Sequence, residues 1–96
     1  SLTERVAQLL PVAISTSTIP LIKHTQKDIT IIGAITHHQY FRYDRNSIFL
    51  FVNNRWVKNK ELSNAMLNGY LNVLPAGRFP AGFILVTVDP HEVDIN

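Results

Sequence analysis

The side chains best suited to chemistry in this 96-residue chain are four histidines, His24, His37, His38 and His91, and an unevenly placed set of charges. Consecutive histidines on an extended chain point to opposite sides. None of the four stands at the i, i+4 spacing that a helical metal site uses. The chain has no cysteine, which removes thiolate ligands, disulfides and a Cys nucleophile together. Its carboxylates are scattered, so no pair is offered for acid–base work. Gly33, Gly69, Gly77 and Gly82 match neither dinucleotide-binding nor phosphate-loop spacing. The expectation is a chain with no catalytic or metal site, not an enzyme by itself.

Charge carries more information. The net value is only +2, yet Arg42, Arg45, Arg55, Lys58 and Lys60 face a single acid, Asp44, over that stretch. Asp89, Glu92 and Asp94 follow near the end with no Lys or Arg among them. A basic middle and an acidic end point to a polyanionic partner for the former. Mechanism supports this, because each cation that neutralises a phosphate releases counterions. No apolar run reaches the roughly 18 residues a membrane span needs, so no membrane partner is expected. The start lacks a signal-peptide layout, and the absent initiator Met suggests an excised piece. A reducing compartment, the cytoplasm or, in a eukaryote, the nucleus, is the expected location.

The elements that must position these residues can be read from pattern. Ser1-Leu2-Thr3-Glu4 has the form of a capping box and opens a helix expected to stop near Pro11, which lacks an N–H donor. A turn-rich Ser15–Thr18 leads to a short extended piece around Leu21–His24. Asp28–Thr36 is β-branched and strand-like, with Gly33 marking a bulge or a close backbone approach. His37–Asn46 is polar and loop-like, although Tyr40, Phe41 and Tyr43 could be partly buried.

Ser47–Val52 is apolar at both parities. That pattern predicts a central strand covered on both faces, with Phe49 and Phe51 in the core; stacking of these rings on nucleobases is the weaker reading. Asn53-Asn54 suits a two-residue turn, Arg55–Val57 a short returning strand, and Asn59 an N-cap. Leu62, Ala65, Met66, Gly69, Tyr70 and Val73 then recur at helical spacing, an apolar stripe that must face a core. A loop over Pro75–Pro80 precedes a second apolar strand, Gly82–Val88. The order of elements predicts an α+β fold in two layers, a small mixed sheet of about four strands packed by helices.

Two segments are more distinctive than the pattern. Ile48-Phe49-Leu50-Phe51-Val52-Asn53-Asn54-Arg55-Trp56-Val57 and Asp89-Pro90-His91-Glu92-Val93-Asp94-Ile95-Asn96 together resemble the MutL family of DNA mismatch-repair ATPases. There an "F-V-N-x-R" strand–turn is followed by a helix, an apolar strand and "D-P-x-x-V-D-V-N-V-H-P-x-K". Arg5–Leu10 looks like the helix that opens this family's second domain, and Tyr70 approximates a frequent "A-Y" helix position. Asn54 replaces the usual Gly of "V-N-G-R", and Ile95 replaces a Val; neither disturbs the local pattern.

The resemblance implies a transducer domain, residues 1–96, excised from a larger ATPase chain and incomplete at its C-terminal end. It implies a topology like the second domain of a small-subunit ribosomal protein, with a left-handed βαβ crossover. The family's "V-H-P-x-K" lysine contacts the nucleotide, and this sequence ends at Asn96 before that motif. ATP and Mg would therefore belong to the parent protein's upstream ATP-binding domain, with no cofactor in the fragment. Asp94 and Asn96 would support the nucleotide-contacting segment. Arg55, Lys58 and Lys60 would contact DNA without sequence preference, since lysine on phosphate positions and does not specify. Further implied partners are that upstream domain and the mismatch-recognition protein MutS. The alternatives are the equivalent domain of another ATPase of the superfamily, type II topoisomerase-like, and a stand-alone nucleic-acid-binding module.

Overall fold

A computed structural model of the chain describes residues 1–18, 20–38, 47–75 and 77–89. Its elements are α1 (Leu2–Thr16), β1 (Leu21–Gln26), β2 (Ile29–His38), β3 (Ser47–Val52), β4 (Arg55–Trp56), α2 (Lys60–Tyr70) and β5 (Phe79–Val88). The strands form one sheet in the order β1-β2-β5-β3-β4. All neighbours are antiparallel except β3 and β5, which run parallel and are joined through β4 and α2. The α+β reading holds, with five strands rather than about four. The short pieces at both sheet edges are true strands.

The Ser1 hydroxyl accepts from the Glu4 N–H at 3.3 Å, so the cap that opens α1 is the one expected. The helix does not stop at Pro11, however, but runs to Thr16 with the proline inside it. A proline there removes a ladder hydrogen bond and costs about 3 kcal/mol. Its continuation buries Ala13 and Ile14 completely, each apolar side chain returning on the order of 1–3 kcal/mol. The serines and threonines read as a turn instead close the helix end. The Thr16 hydroxyl donates to the Val12 carbonyl and the Ser17 hydroxyl to the Ala13 carbonyl, both at 2.6 Å.

Both helices lie over one face of the sheet. Leu62, Ala65, Met66 and Tyr70 of α2 join Val6, Leu10, Ala13 and Ile14 of α1 in a single core. The inward residues of the strands complete it, among them Ile22, Ile31, Ile35, Leu50, Ile84 and Val86. The stripe read from the sequence is thus the buried face of α2. Where the two helices meet, a Cβ at Gly69 would lie 2.9 Å from Ile14 Cδ1 and 3.0 Å from Pro11 Cα. A Cβ there would require the Ile14 side chain and the Pro11 backbone to give way by a few tenths of an ångström. Gly33 marks a close approach and not a bulge, since β2 and β5 stay in register from Ile29↔Val88 to His38↔Phe79.

The other face of the sheet carries no helix among the described residues, and two expectations fail here. β3 is not central: β5 holds the middle and β3 lies next to the edge. Nor is β3 covered on both sides. Leu50 and Val52 are buried inward, whereas Phe49 is 51% exposed and Phe51 is half-buried on the open side. Phe83, beside Phe49 in the parallel register, is 43% exposed. An apolar run at both parities predicts that both faces are apolar; it does not say that both are covered. The segments holding Tyr40, Phe41, Tyr43, Arg42 and Arg45, and the stretch from Pro90 onward, lie outside the described residues.

Two substitutions test this packing. A Cβ at Gly33 would sit 2.7 Å from the Phe83 carbonyl oxygen. Gly33→Ala should therefore lower unfolding free energy by about 2 kcal/mol in urea titrations followed by circular dichroism. Tyr70 is buried, and its hydroxyl has no hydrogen-bond partner among the described residues. Tyr70→Phe should raise stability at pH 7 by about 1 kcal/mol, because an unsatisfied buried hydroxyl is removed. Burial also pushes the Tyr70 phenol well above its ordinary pKa. The raised folded-state value means that its contribution is intact below pH ~10 and is lost as pH climbs beyond that. Tyr70→Phe should flatten the loss of stability on the alkaline side, measured as the urea midpoint from pH 9 to 12.

Candidate nucleic-acid interface

The sheet chain turns from β3 into β4 through Asn53 and Asn54, at φ 49° and 66°. Two successive positive φ values define a type I′ hairpin turn, whose twist matches that of the strands it joins. Asparagine enters the left-handed region more cheaply than residues other than glycine. Asn54 therefore fills the place that is Gly in the resembled motif without breaking the turn.

Asn53 does more than turn the chain. Its N–H donates to the Val86 carbonyl at 2.8 Å, extending the β3–β5 ladder past the Val52↔Val86 pair. Its side-chain Oδ1 accepts the Val88 N–H at 2.9 Å. One residue thus fastens the hairpin to the last residue of β5, where the chain passes on to Asp89. The pattern of the sequence located the turn. It could not show the second bond, whose partner is 35 positions away.

The basic residues follow directly. Arg55 lies on β4 opposite Val52, and Trp56 lies opposite Phe51. Lys58 sits in the short link to α2, its Nζ 5.2 Å from the centre of the Trp56 ring. At that distance the ring's quadrupole attracts the ammonium by about 0.5–1 kcal/mol, which orients both groups at an exposed site. The Asn59 side chain accepts the Leu62 N–H at 3.1 Å, capping α2 as expected. Lys60 is the first residue of that helix, where its charge opposes the helix dipole and Glu61 partly offsets it.

The structure therefore brings Arg55, Lys58 and Lys60 together in one strand–link–helix passage. All three are exposed, and none takes part in an ion pair among the described residues. Arg55 makes no hydrogen bond to the turn among those residues either, so its guanidinium is presented to solvent. Asp94 and Asn96 lie outside the described residues. Behind Lys58 is a cavity of about 160 Å³ lined by Ile48, Leu50, Val57, Ser63 and Met66. It falls short of the roughly 300 Å³ from which small-molecule sites begin. Among the described residues no three His, Cys, Asp or Glu side chains gather to hold a metal, and no helix is long and apolar enough to cross a membrane. The arrangement can do one thing well: offer exposed cations, free of ion pairs among the described residues, to a polyanion.

Comparison with known proteins agrees with the motifs on which the resemblance rests. Residues 6–96 match the family described as DNA mismatch repair protein, C-terminal domain. The DNA mismatch repair protein MutL of Kosmotoga olearia is 34% identical over 97% of this chain, which covers 16% of that protein. Those of Bacillus cereus and Bacillus cytotoxicus are 35% and 36% identical over 95% of the chain, which covers 14% of each. The chain thus spans about a sixth or a seventh of the length of these relatives.

Asn53 provides a graded test. Asn53→Asp keeps both an acceptor and a tolerance of the left-handed backbone, and should stay closest to the parent in stability. Asn53→Gly keeps the turn but loses the bond, for about 1 kcal/mol. Asn53→Ala loses the bond and strains the turn, for about 2 kcal/mol in all. Amide exchange at Val88, followed by NMR, should quicken in the Gly and Ala variants; an unchanged rate would show that Asn53 does not hold that N–H.

Proposed function

Because the chain belongs to the MutL-type family of DNA mismatch repair proteins, we propose that it is the family's transducer domain, coupling nucleotide state to engagement of DNA. The observation that carries this reading is the Asn53 joint. Asn53, in the turn of the hairpin that bears Arg55, is tied to the outgoing end of β5 by two hydrogen bonds, its N–H donating to the Val86 carbonyl at 2.8 Å and its Oδ1 accepting the Val88 N–H at 2.9 Å. In the family it resembles, the chain beyond β5 leads to the lysine that contacts the nucleotide. A displacement of that segment would pull on the Val88 N–H and hence on the hairpin. The cations at Arg55, Lys58 and Lys60 would then move as one body, without a flexible loop to absorb the change.

ATP and Mg would be held by an ATP-binding domain upstream in the longer protein. This chain's own residues offer neither a glycine-rich phosphate loop nor, among the described residues, a metal-binding cluster. Its part would be positioning: it would carry the basic passage toward DNA when the upstream domain closes, and present a surface to repair partners such as MutS. The contacts would be to phosphates, so binding would be strong at low salt and indifferent to sequence. Family membership sets aside the topoisomerase-like alternative.

The test is made in the full-length protein. Lys58→Glu combined with Lys60→Glu should weaken duplex binding at low salt. It should also make the plot of log affinity against log salt shallower by about two units, one for each phosphate that is no longer neutralised. Nucleotide affinity should be unchanged. Duplex affinity equal to that of the parent protein at low salt would remove these lysines from the DNA surface.

A further inference from the structure

The two margins of β3 are used differently. Along one it pairs with β5 through its whole length, from Ser47↔Ala81 to Val52↔Val86. Along the other, β4 covers only Phe51 and Val52, and one further bond runs from the Val57 N–H to the Leu50 carbonyl at 2.8 Å. The chain then leaves the sheet through Lys58 and Asn59 to enter α2. Alternate residues of a strand send their backbone groups to opposite neighbours. The Leu50 carbonyl is bonded toward β4 and the Asn53 N–H toward β5, so Ile48 and Leu50 both turn away from β5. The Ile48 N–H and carbonyl and the Leu50 N–H therefore lie on the uncovered margin, without a partner among the described residues.

This margin adjoins the cavity of about 160 Å³ behind Lys58. Ile48 and Leu50 line it from the strand, Ser63 and Leu67 from α2, and Val57 and Lys58 from the link between β4 and α2. The space is too small for a free ligand but suits one apolar side chain; an engineered apolar cavity of about 150 Å³ holds benzene. Its surroundings are cationic. Between Ser47 and Pro75 the one acid is Glu61, against Arg55, Lys58 and Lys60, and no acid lines the cavity. We propose that the lane vacated by β4 is a docking groove for an extended, acidic peptide segment of a partner protein. The segment adds to β3 as a short strand, sets one apolar side chain in the cavity and places an Asp or Glu against Lys58. This use of the groove goes beyond the DNA reading and does not depend on it.

Each part of the groove selects for such a segment. A strand edge bonds to a row of peptide N–H and C=O groups, which a nucleic acid strand does not have, and these bonds supply affinity whatever the sequence. Specificity comes from the side chains, which alternate about every 6.6 Å on one side of an added strand, so that one inward residue meets the cavity. Lys58, held 5.2 Å from the centre of the Trp56 ring, supplies the charge that an acidic neighbour in the peptide answers. A library of random decapeptides displayed on phage is selected against the 96-residue chain at about 0.15 M salt. Enriched sequences should share one Leu, Ile, Met or Phe at a fixed spacing from an Asp or Glu. The most enriched peptide, synthesised with a fluorescent label, should bind saturably by polarisation.

Ser63→Leu fills the cavity from the α2 side with a residue that favours helix more than serine does. It should weaken peptide binding at least tenfold, the order expected when one buried apolar side chain loses its place. Lys58→Glu should weaken it about fivefold, and by more at low salt than at high. Bound peptide should slow amide exchange at Ile48 and Leu50, followed by NMR, and leave the amides of β1 unchanged. That measurement is made on the parent chain, so it stands whether or not either variant folds. Unchanged exchange at Ile48 and Leu50, or unchanged affinity in a folded Ser63→Leu chain, would overturn the proposal. A selection that returns only clustered acids, with no apolar residue at fixed spacing, would make this passage a general polyanion surface, as for nucleic acid, and not a strand groove. A selection that returns nothing, from a chain that dimerises with protection of Ile48, would give the margin to a second copy instead.

Discussion

Packing of α1 against α2 on the inner face of the sheet governs where every functional feature lies. The two helices touch each other where Gly69 meets Pro11 and Ile14, so together they cover one face as a continuous layer. The inward apolar side chains of the strands, from Ile22 to Val88, are absorbed by that layer. Two consequences follow at once. The entrance to α2, with Lys58 and Lys60, is forced to the sheet's β4 edge, where it remains in solvent. The opposite face is left without any element of this chain upon it among the described residues. An apolar side chain gains on the order of 1–3 kcal/mol when fully buried, so the aromatic residues left outside represent stabilisation that the fold itself does not use.

The Asn53 joint gives the same packing a mechanical meaning. β5 is the central strand, paired with β2 along its whole length and with β3 from Ala81 to Val86, and its outgoing end is held by β2 on one side and by the Asn53 side chain on the other. The β3–β4 hairpin has only a two-residue turn and a two-residue return strand, and would be easily displaced by itself. Fastening it to Val86 and Val88 lends it the rigidity of the centre. Three features converge on one short passage: positive φ, a side-chain acceptor and adjacent cations. A glycine at position 53 would serve the backbone alone, which explains why a polar residue with a short amide is suited to the place.

How much of this was legible in the sequence depended on range. The α2 stripe, the Ser1 and Asn59 caps and the Asn53-Asn54 turn were all readable, because each rests on neighbours within a few positions. Pro11 misled because its local cost is real, while the burial of Ala13 and Ile14 that outweighs it is tertiary. Ser47–Val52 misled for a related reason. Parity reports the chemistry of each side of a strand, and Phe49 and Phe51 made both sides apolar without any layer to cover the second. The bond between Asn53 and Val88 had no local signature at all. The basic passage was legible as residue types; that Arg55, Lys58 and Lys60 are exposed and free of ion pairs among the described residues came only from the fold.

The treatment of the sheet's margins bears on how its open face can be used. An unguarded edge strand invites another chain to pair with it, and proteins commonly blunt edges with short strands or lysines. Both devices are present here: β4 is two residues long, and β1 carries Lys23 pointing to the open side. The face between these margins is not blunted. Phe49, Trp56 and Phe83 stand on it without an intervening charge. Blunting β1 and β4 while leaving the rings in solvent favours contact through flat ring surfaces over backbone pairing at those two strands.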